Sequence, residues 1–399
     1  MDVALTIRKF NMGRDPERLA LKFSKMRTSP FVFLRGSCHL FYQRLPVEKV
    51  LEKAPRVWVC GDLHLENFGS YKGDNRLTYF DMNDFDEAVL APCTWDVARF
   101  LTSVRLGMRE MNVESSAIAS LCQVFLDSYA RELATGKARW VERETSEGLV
   151  KELLSAAQLR SRPEFLDTRT QRKGKRRTIL TDGHKALPVS DAQRKQVTAF
   201  MEDFASRQSN PDFFRILDVA RRIAGTGSLG VERYVILVQG RGSPDGNFLL
   251  DLKQALPSSL VPNLKVKQPK WKSEAHRVVA IQHRVQAVSM AFLQPVRMAR
   301  QPYILRALQP KEDRVALQHW NGKLARLERV MASMGAAVAW DHLRAGGRDG
   351  SAIADELIQF GANSRWKKQL KQVAEHCAEQ TRRDWLAFSQ AYDDGYFTG

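Results

Sequence analysis

Five cysteines in 399 residues, at positions 38, 60, 93, 122 and 377, form no C-x-x-C pair and are odd in number. A zinc knuckle needs closely spaced ligands and a disulfide framework needs an even set, so buried, reduced thiols are expected instead. Apolar runs are short as well. None approaches the roughly 18 residues of a membrane span, and the longest are interrupted by Arg or Lys. The opening segment MDVALTIRKFNMGRDPERLA lacks the long apolar block of a signal peptide, which predicts a cytoplasmic protein with no membrane contact. No internal repeat or low-complexity tract is present.

Negative charge is scarce. There are 62 Lys and Arg against 45 Asp and Glu, a net charge of +17, so the surface must attract anions. Much of the excess lies in TRTQRKGKRRT (168–178) and NLKVKQPKWK (263–272). These runs are candidate contacts for nucleic acid or another polyanion, against the plainer reading of solvated loops. Neither has the interleaved aromatics of a single-strand binder.

At 399 residues and 44% hydrophobic content the chain can bury a sizeable core, and two lobes are expected. The pattern predicts an amphipathic helix over 14–27, then an apolar segment over 29–45 broken at Arg35-Gly36. RVWVCGD (56–62) and RLTYFDMNDFD (76–86) read as short strands forming a hairpin around a polar cluster. Residues 94 to about 206 read as largely helical, with the basic stretch at 168–178 as the main break. ERYVILVQGRGSPDGNFLLDLKQA (232–255) is a β-hairpin signal. A helix over 273–293, an extended 301–309 and further helices complete the pattern. The expected division is a helical lobe from 1–215, a β-rich lobe from 216–310, and helices from 311–399 completing the first lobe.

The polar cluster carries the chemistry. In GDLHLENFG, Asp62 and Asn67 have the spacing D-x-x-x-x-N, and NDFDEA follows with Asp84 and Asp86. In phosphoryl transfer one Asp accepts the proton of the attacking hydroxyl, while an Asn five positions on and a later Asp hold Mg²⁺ against the phosphates. A hard cation needs oxygen ligands, and a base needs a carboxylate within reach of the substrate. Asp62 is therefore the candidate base, Asn67 and Asp84 the candidate metal ligands, and Asp86 a candidate for a second metal. Asp81 is expected at a cap or turn. His64 is a candidate catalytic residue whose plainer role is to fix the loop.

The triphosphate needs a second element. GTGSLG (225–230) is a G-x-G-x-x-G followed by β-branched VERYVILVQG, so a strand and not a helix should follow. That argues for a glycine-rich flap between strands and against a dinucleotide fingerprint. Gly225, Gly227, Ser228 and Gly230 would cover the phosphates, and Lys253, on the next strand, would contact them. A kinase lysine is normally oriented by a Glu on the next helix; around 273–293 the only Glu is Glu274, near the start, while Gln282 and Gln286 occupy the middle, so the identity of the partner stays open, with a neutral glutamine as one option. Arg35 and Arg306 are further candidate phosphate contacts, with structural ion pairs as the alternative. The catalytic cluster precedes the glycine loop, the reverse of the usual kinase order, so the two halves read as circularly permuted.

The set SPFVFLRG, GDLHLENFG, NDFDEA, WDVARFLTS and GTGSLGVERYVIL resembles, over most of the chain, the bacterial family known as domain of unknown function 2252. The resemblance implies a two-lobed protein-kinase-like α+β fold near the aminoglycoside phosphotransferases, which carry a similar G-D-x-H-x-x-N loop, I-D-W/F-x-x-A, and a helix opening with Y-D-L-A. GDLHLEN matches at Asp62, His64 and Asn67, with Cys60 where a His usually precedes; DFDEA matches at Asp84 and WDVAR at Asp96. Asp96 is then expected to brace the catalytic loop from the start of its helix, and His342 to approach that loop. The expected function is ATP- and Mg²⁺-dependent phosphotransfer to a hydroxyl of a small acceptor. A pseudokinase-type nucleotide-binding regulator, an AMP transferase and a basic nucleic-acid-binding protein are the alternatives.

Overall fold

The computed structural model describes residues 2–309 and 313–397. It is a mixed α+β protein built around two hydrophobic centres. The larger centre is helical. Helices Cys93–Glu110 and Ser115–Thr135 pack with Leu324–Arg344 and Arg365–Asp393, so early and late parts of the chain share one core. Val97, Leu101, Val104 and Met108 recur along the first of these helices at helical spacing and are fully buried, which is why this stretch folds as a core helix.

The second centre is a six-stranded antiparallel sheet. In order across the sheet the strands are Gln294–Met298, Gln301–Ala307, Phe248–Gln254, Arg233–Val238, Ile216–Arg222 and Ala186–Leu187. The central strand Arg233–Val238 is buried along its whole length. Tyr234, Ile236 and Val238 face helix Asp191–Ser206 through Val197, Phe200 and Phe204. Val235 and Leu237, at the alternate positions, meet Leu166, Ile179 and Ala220 on the other face. The period of two along a strand gives each set its own face. The sheet thus draws packing partners from residue 166 onward, ahead of the expected start of the β-rich lobe at 216.

Three local expectations are corrected. Arg56–Val59 pairs with Val89–Pro92, and Thr78–Met82 pairs with Phe68–Lys72, so the strands at 56 and 76 do not form one hairpin. The loops 60–67 and 83–88 connect the two small sheets. The basic stretch at 168–178 is not a loop but mostly a β-hairpin, Thr170–Lys173 with Arg176–Ile179. The helix expected over 273–293 ends at Val285, because Gln286 is extended and its side chain is drawn to the Met82 carbonyl at 2.7 Å.

Candidate active site

The strand Arg56–Val59 runs out at Cys60, and Gly61 turns the chain with φ +81°. A side chain there would run into the Glu87 carbonyl, so the position requires glycine. Asp96, in the first turn of helix Cys93–Glu110, fixes the turn by accepting the N–H groups of Cys60 at 2.8 Å and Gly61 at 2.9 Å. His342 lies behind it, with Nε2 4.0 Å from Asp96 and Nδ1 2.9 Å from the Tyr129 hydroxyl. His64 is buried and its Nδ1 accepts the Glu66 N–H at 3.1 Å, which shapes the loop. Burial, with Arg35 and Arg99 close by, holds its pKa well below the usual histidine range.

Asp62 receives two hydrogen bonds on Oδ1 from the fully buried Arg99, from Nε at 2.8 Å and from Nη2. Its side chain remains 20% exposed, so the second oxygen is accessible. Burial pushes its pKa up to about 6 against the pull of Arg99, with Glu87 and Asp84 adding to the rise. Asn67 directs its amide nitrogen at the carbonyls of Asp62 (3.1 Å) and Asp84 (3.4 Å), which leaves its oxygen as the atom available to a cation.

The loop 83–88 faces this one. Burial would raise the pKa of Asp84, but Lys253, Arg306 and Arg233 pull it below the usual carboxylate value. Lys253 is buried, contacts the Asp86 carboxylate directly and lies 4.0 Å from Asp84 Oδ1. Its partner is therefore Asp86. Gln282 donates to Gln286 and Gln286 to Met82, so the option of a glutamine partner fails, and Asp86 is engaged by a cation where a second metal was considered. Glu274 binds Arg277, which in turn donates to the carbonyls of Asp86 (2.9 Å) and Leu256 (2.9 Å) and also to Ala88. Asp81 is neither cap nor turn. It is a strand residue buried against Asp341, and burial raises the pKa of both.

The 225–230 loop joins two antiparallel strands, as a flap does, with positive φ at Gly225 (+70°) and Gly230 (+87°). Its carbonyls are held from the N-terminal helix Pro16–Arg27 and from the turn that joins it to helix Val3–Phe10. Arg14 and Lys22 each donate to Gly227 O at 3.0 Å, Arg18 to Val231 O at 3.0 Å, and the Asp15 N–H to Gly230 O at 2.9 Å. A Cβ on Gly227 would lie 3.0 Å from Arg35 O and 3.8 Å from Asp62 Oδ2, so the flap closes directly over Asp62.

These parts enclose one cleft of about 1020 Å³, lined by Asp62, His64, Asn67, Asp84, Asp86, Gly225, Gly227, Ser228, Gly230 and Lys253. The candidate base, metal-ligand and phosphate-contact residues thus meet there, while Asp81, Asp96 and His342 lie outside its lining. Arg35 and Arg306 also line it, paired with Glu66 (2.9 Å) and Asp251 (3.2 Å). Of the basic runs, 168–178 contributes Arg169 and 263–272 contributes nothing. Sequence reasoning missed Arg14, Lys22, Glu87 and Arg99. Arg99 was legible in principle as the Arg of WDVAR, three residues after Asp96, and Glu87 as the Glu of NDFDEA; Arg14 and Lys22 carry no local signal. Among the described residues no group of three or more His, Cys, Asp or Glu converges on a metal position. A cation here would rest on Asn67, Asp84 and ligand oxygens.

A family model described as an uncharacterized protein conserved in bacteria, DUF2252, matches residues 14–391. No curated protein and no solved structure matches the chain.

Proposed function

The chain belongs to the DUF2252 family of bacterial proteins, and from the cleft we propose that it is an ATP- and Mg²⁺-dependent phosphotransferase acting on a hydroxyl. The proposed architecture is a circularly permuted protein-kinase-like fold, with the catalytic loop ahead of the glycine flap in the chain. The observation that carries this reading is the meeting of Asp62, Asn67 and Asp84 with the 225–230 flap and Lys253 in one cleft, from segments some 140 residues or more apart.

The nucleotide supplies the phosphoryl group, and Mg²⁺ neutralises phosphate charge. The residues present fit both. The flap carbonyls of Gly227, Leu229, Gly230 and Val231 are taken by the N-terminal segment, while the N–H groups of Thr226, Ser228 and Gly230 donate to no protein acceptor among the described residues. Successive N–H groups beside a positive φ make an anion-binding concavity. The oxygens of Asn67 and Asp84 would hold the cation, and Lys253 would neutralise phosphate oxygens. Arg99 fixes one oxygen of Asp62 and leaves the other to accept the acceptor's proton. With a pKa of about 6, Asp62 is ionised at neutral pH yet basic enough to share a proton. A small-molecule acceptor follows only from fold-level likeness to the aminoglycoside enzymes.

Thermal melting with and without Mg²⁺–ATP tests the reading. Wild type should gain about 2.7 kcal/mol at a hundredfold excess over Kd, and Asp84→Ala and Lys253→Ala should lose the gain. No shift at saturating Mg²⁺–ATP would overturn it. Release of ADP on turnover supports phosphoryl transfer; release of pyrophosphate would establish AMP transfer instead.

A further inference from the structure

The cations around the flap fall into two groups. Arg222 and Arg233 contact Asp251 alongside Arg306, Lys253 contacts Asp86, and Arg18 and Arg221 contact Asp15. Arg14 and Lys22 have no such partner. Neither makes an ion pair among the described residues, although Lys22 is completely buried and Arg14 partly so. The carboxylates close enough to act on them are Asp62, Asp86 and Glu87, and each is engaged elsewhere: Asp62 by Arg99, Asp86 by Lys253, and Glu87 by Ser259 N–H at 2.6 Å and its hydroxyl at 3.0 Å. A buried charge without a counter-ion is costly unless something else supplies one.

Both cations act on the same peptide. Lys22 spends its donors on Asn11 Oδ1 (2.9 Å) and Gly227 O (3.0 Å), and Arg14 uses one terminal nitrogen on Gly227 O and, at 3.5 Å, on Leu229 O. The Phe10 ring, 5.0 Å from the Arg14 guanidinium carbon, fixes its direction. Because the peptide unit is planar and trans, holding Gly227 O toward the helices turns the Ser228 N–H away from them. Leu229 O and the Gly230 N–H are related in the same way. Burial lowers the pKa of Lys22 well below its usual value and that of Arg14 to about 10.

We infer that the free N–H groups of Ser228 and Gly230 form a polyphosphate-binding site in the roof of the cleft, and that Arg14 and Lys22 are the positioning residues that set it by holding the flap carbonyls on the opposite side. The N-terminal helices are then part of the phosphate-binding machinery. The inference rests on the phosphotransferase reading for its natural ligand, a nucleoside triphosphate, and stands without it as a site for inorganic tripolyphosphate.

The test is calorimetric titration of the full chain with Mg²⁺-free tripolyphosphate at low salt. Wild type should bind, Arg14→Gln and Lys22→Met should each weaken binding at least tenfold, and Arg14→Lys should recover part of it. Lys137→Gln, exposed and outside the cleft lining, should change nothing. In ¹⁵N-labelled wild type the Ser228 and Gly230 amide signals should move on titration, a readout that needs no variant to fold. Absence of wild-type binding, unmoved amides, or undiminished binding by a folded Arg14→Gln overturns the inference. Tripolyphosphate binding that depends on Arg14 in a protein that Mg²⁺–ATP fails to stabilise ends the phosphotransferase reading and leaves the site. Mg²⁺–ATP binding lost in Asp84→Ala, with tripolyphosphate binding unaffected by Arg14→Gln, does the reverse.

Discussion

The loop carrying Asp62 and the flap carrying Gly225 to Gly230 face each other across one cleft and are held by opposite charges. A carboxylate, Asp96, secures the first by its N–H groups. Cations, Arg14, Lys22 and Arg18, secure the second by its carbonyls. The consequence is chemical. A loop whose N–H groups are consumed offers side-chain oxygens to a proton or a cation, whereas a loop whose carbonyls are consumed offers N–H groups to an anion. The anchors also differ in range. Asp96 lies 34 residues beyond Asp62, while Arg14 and Lys22 lie more than 200 residues before the flap.

The largest test of this contrast separates binding from chemistry. Asp62→Asn should lower ATP turnover by about 10² to 10⁴, the usual worth of a positioned base, while the Mg²⁺–ATP melting shift is retained. Loss of the shift as well would mean that the loop serves binding instead. The anchors themselves should differ next. Asp96→Ala orphans two buried N–H groups at about 1–3 kcal/mol each, and should destabilise the protein in a denaturant titration more than Arg18→Met, which removes one donor from the Val231 carbonyl and one of the two cations on Asp15.

A smaller effect is expected from pH. Because Asp62 titrates near 6 in the free protein, kcat/KM should fall as pH drops through that value and the base becomes protonated. Burial, not Arg99, causes the rise, so Arg99→Gln should move the acidic limb to higher pH. An unmoved limb would assign it to another group. The smallest effect belongs to the basic hairpin. Reversing Lys173, Lys175 and Arg176, all exposed, should leave stability within about 0.5 kcal/mol and ATP turnover unchanged, while weakening polyanion binding and its salt dependence.

These tests bear on features that differed in how well the sequence announced them. Asp62, Asn67 and Asp84 were visible because hard-oxygen chemistry uses few residue types at short spacing. The flap was visible because its glycines sit before a β-branched run. Lys253 was identified by its strand, but its partner was not legible, and the next helix ends at Val285 and turns its glutamines toward Met82. Asp86, two residues from Asp84, was the nearer answer. The basic runs stood out most in composition, yet contribute one residue to the cleft. Charge density along a chain says little about where a surface points.

By itself, then, the sequence determined the residue types of the 60–67 and 83–88 loops, the β-strands flanking the flap and the mixed α+β composition, since each is written in local spacing and periodicity. Only the tertiary structure decided that 56–59 pairs with 89–92, that Asp86 takes Lys253, and that Arg14 and Lys22 reach the flap without a carboxylate of their own. Those outcomes depend on which buried charges find partners once distant segments pack together, and no local pattern encodes a partner two hundred residues away.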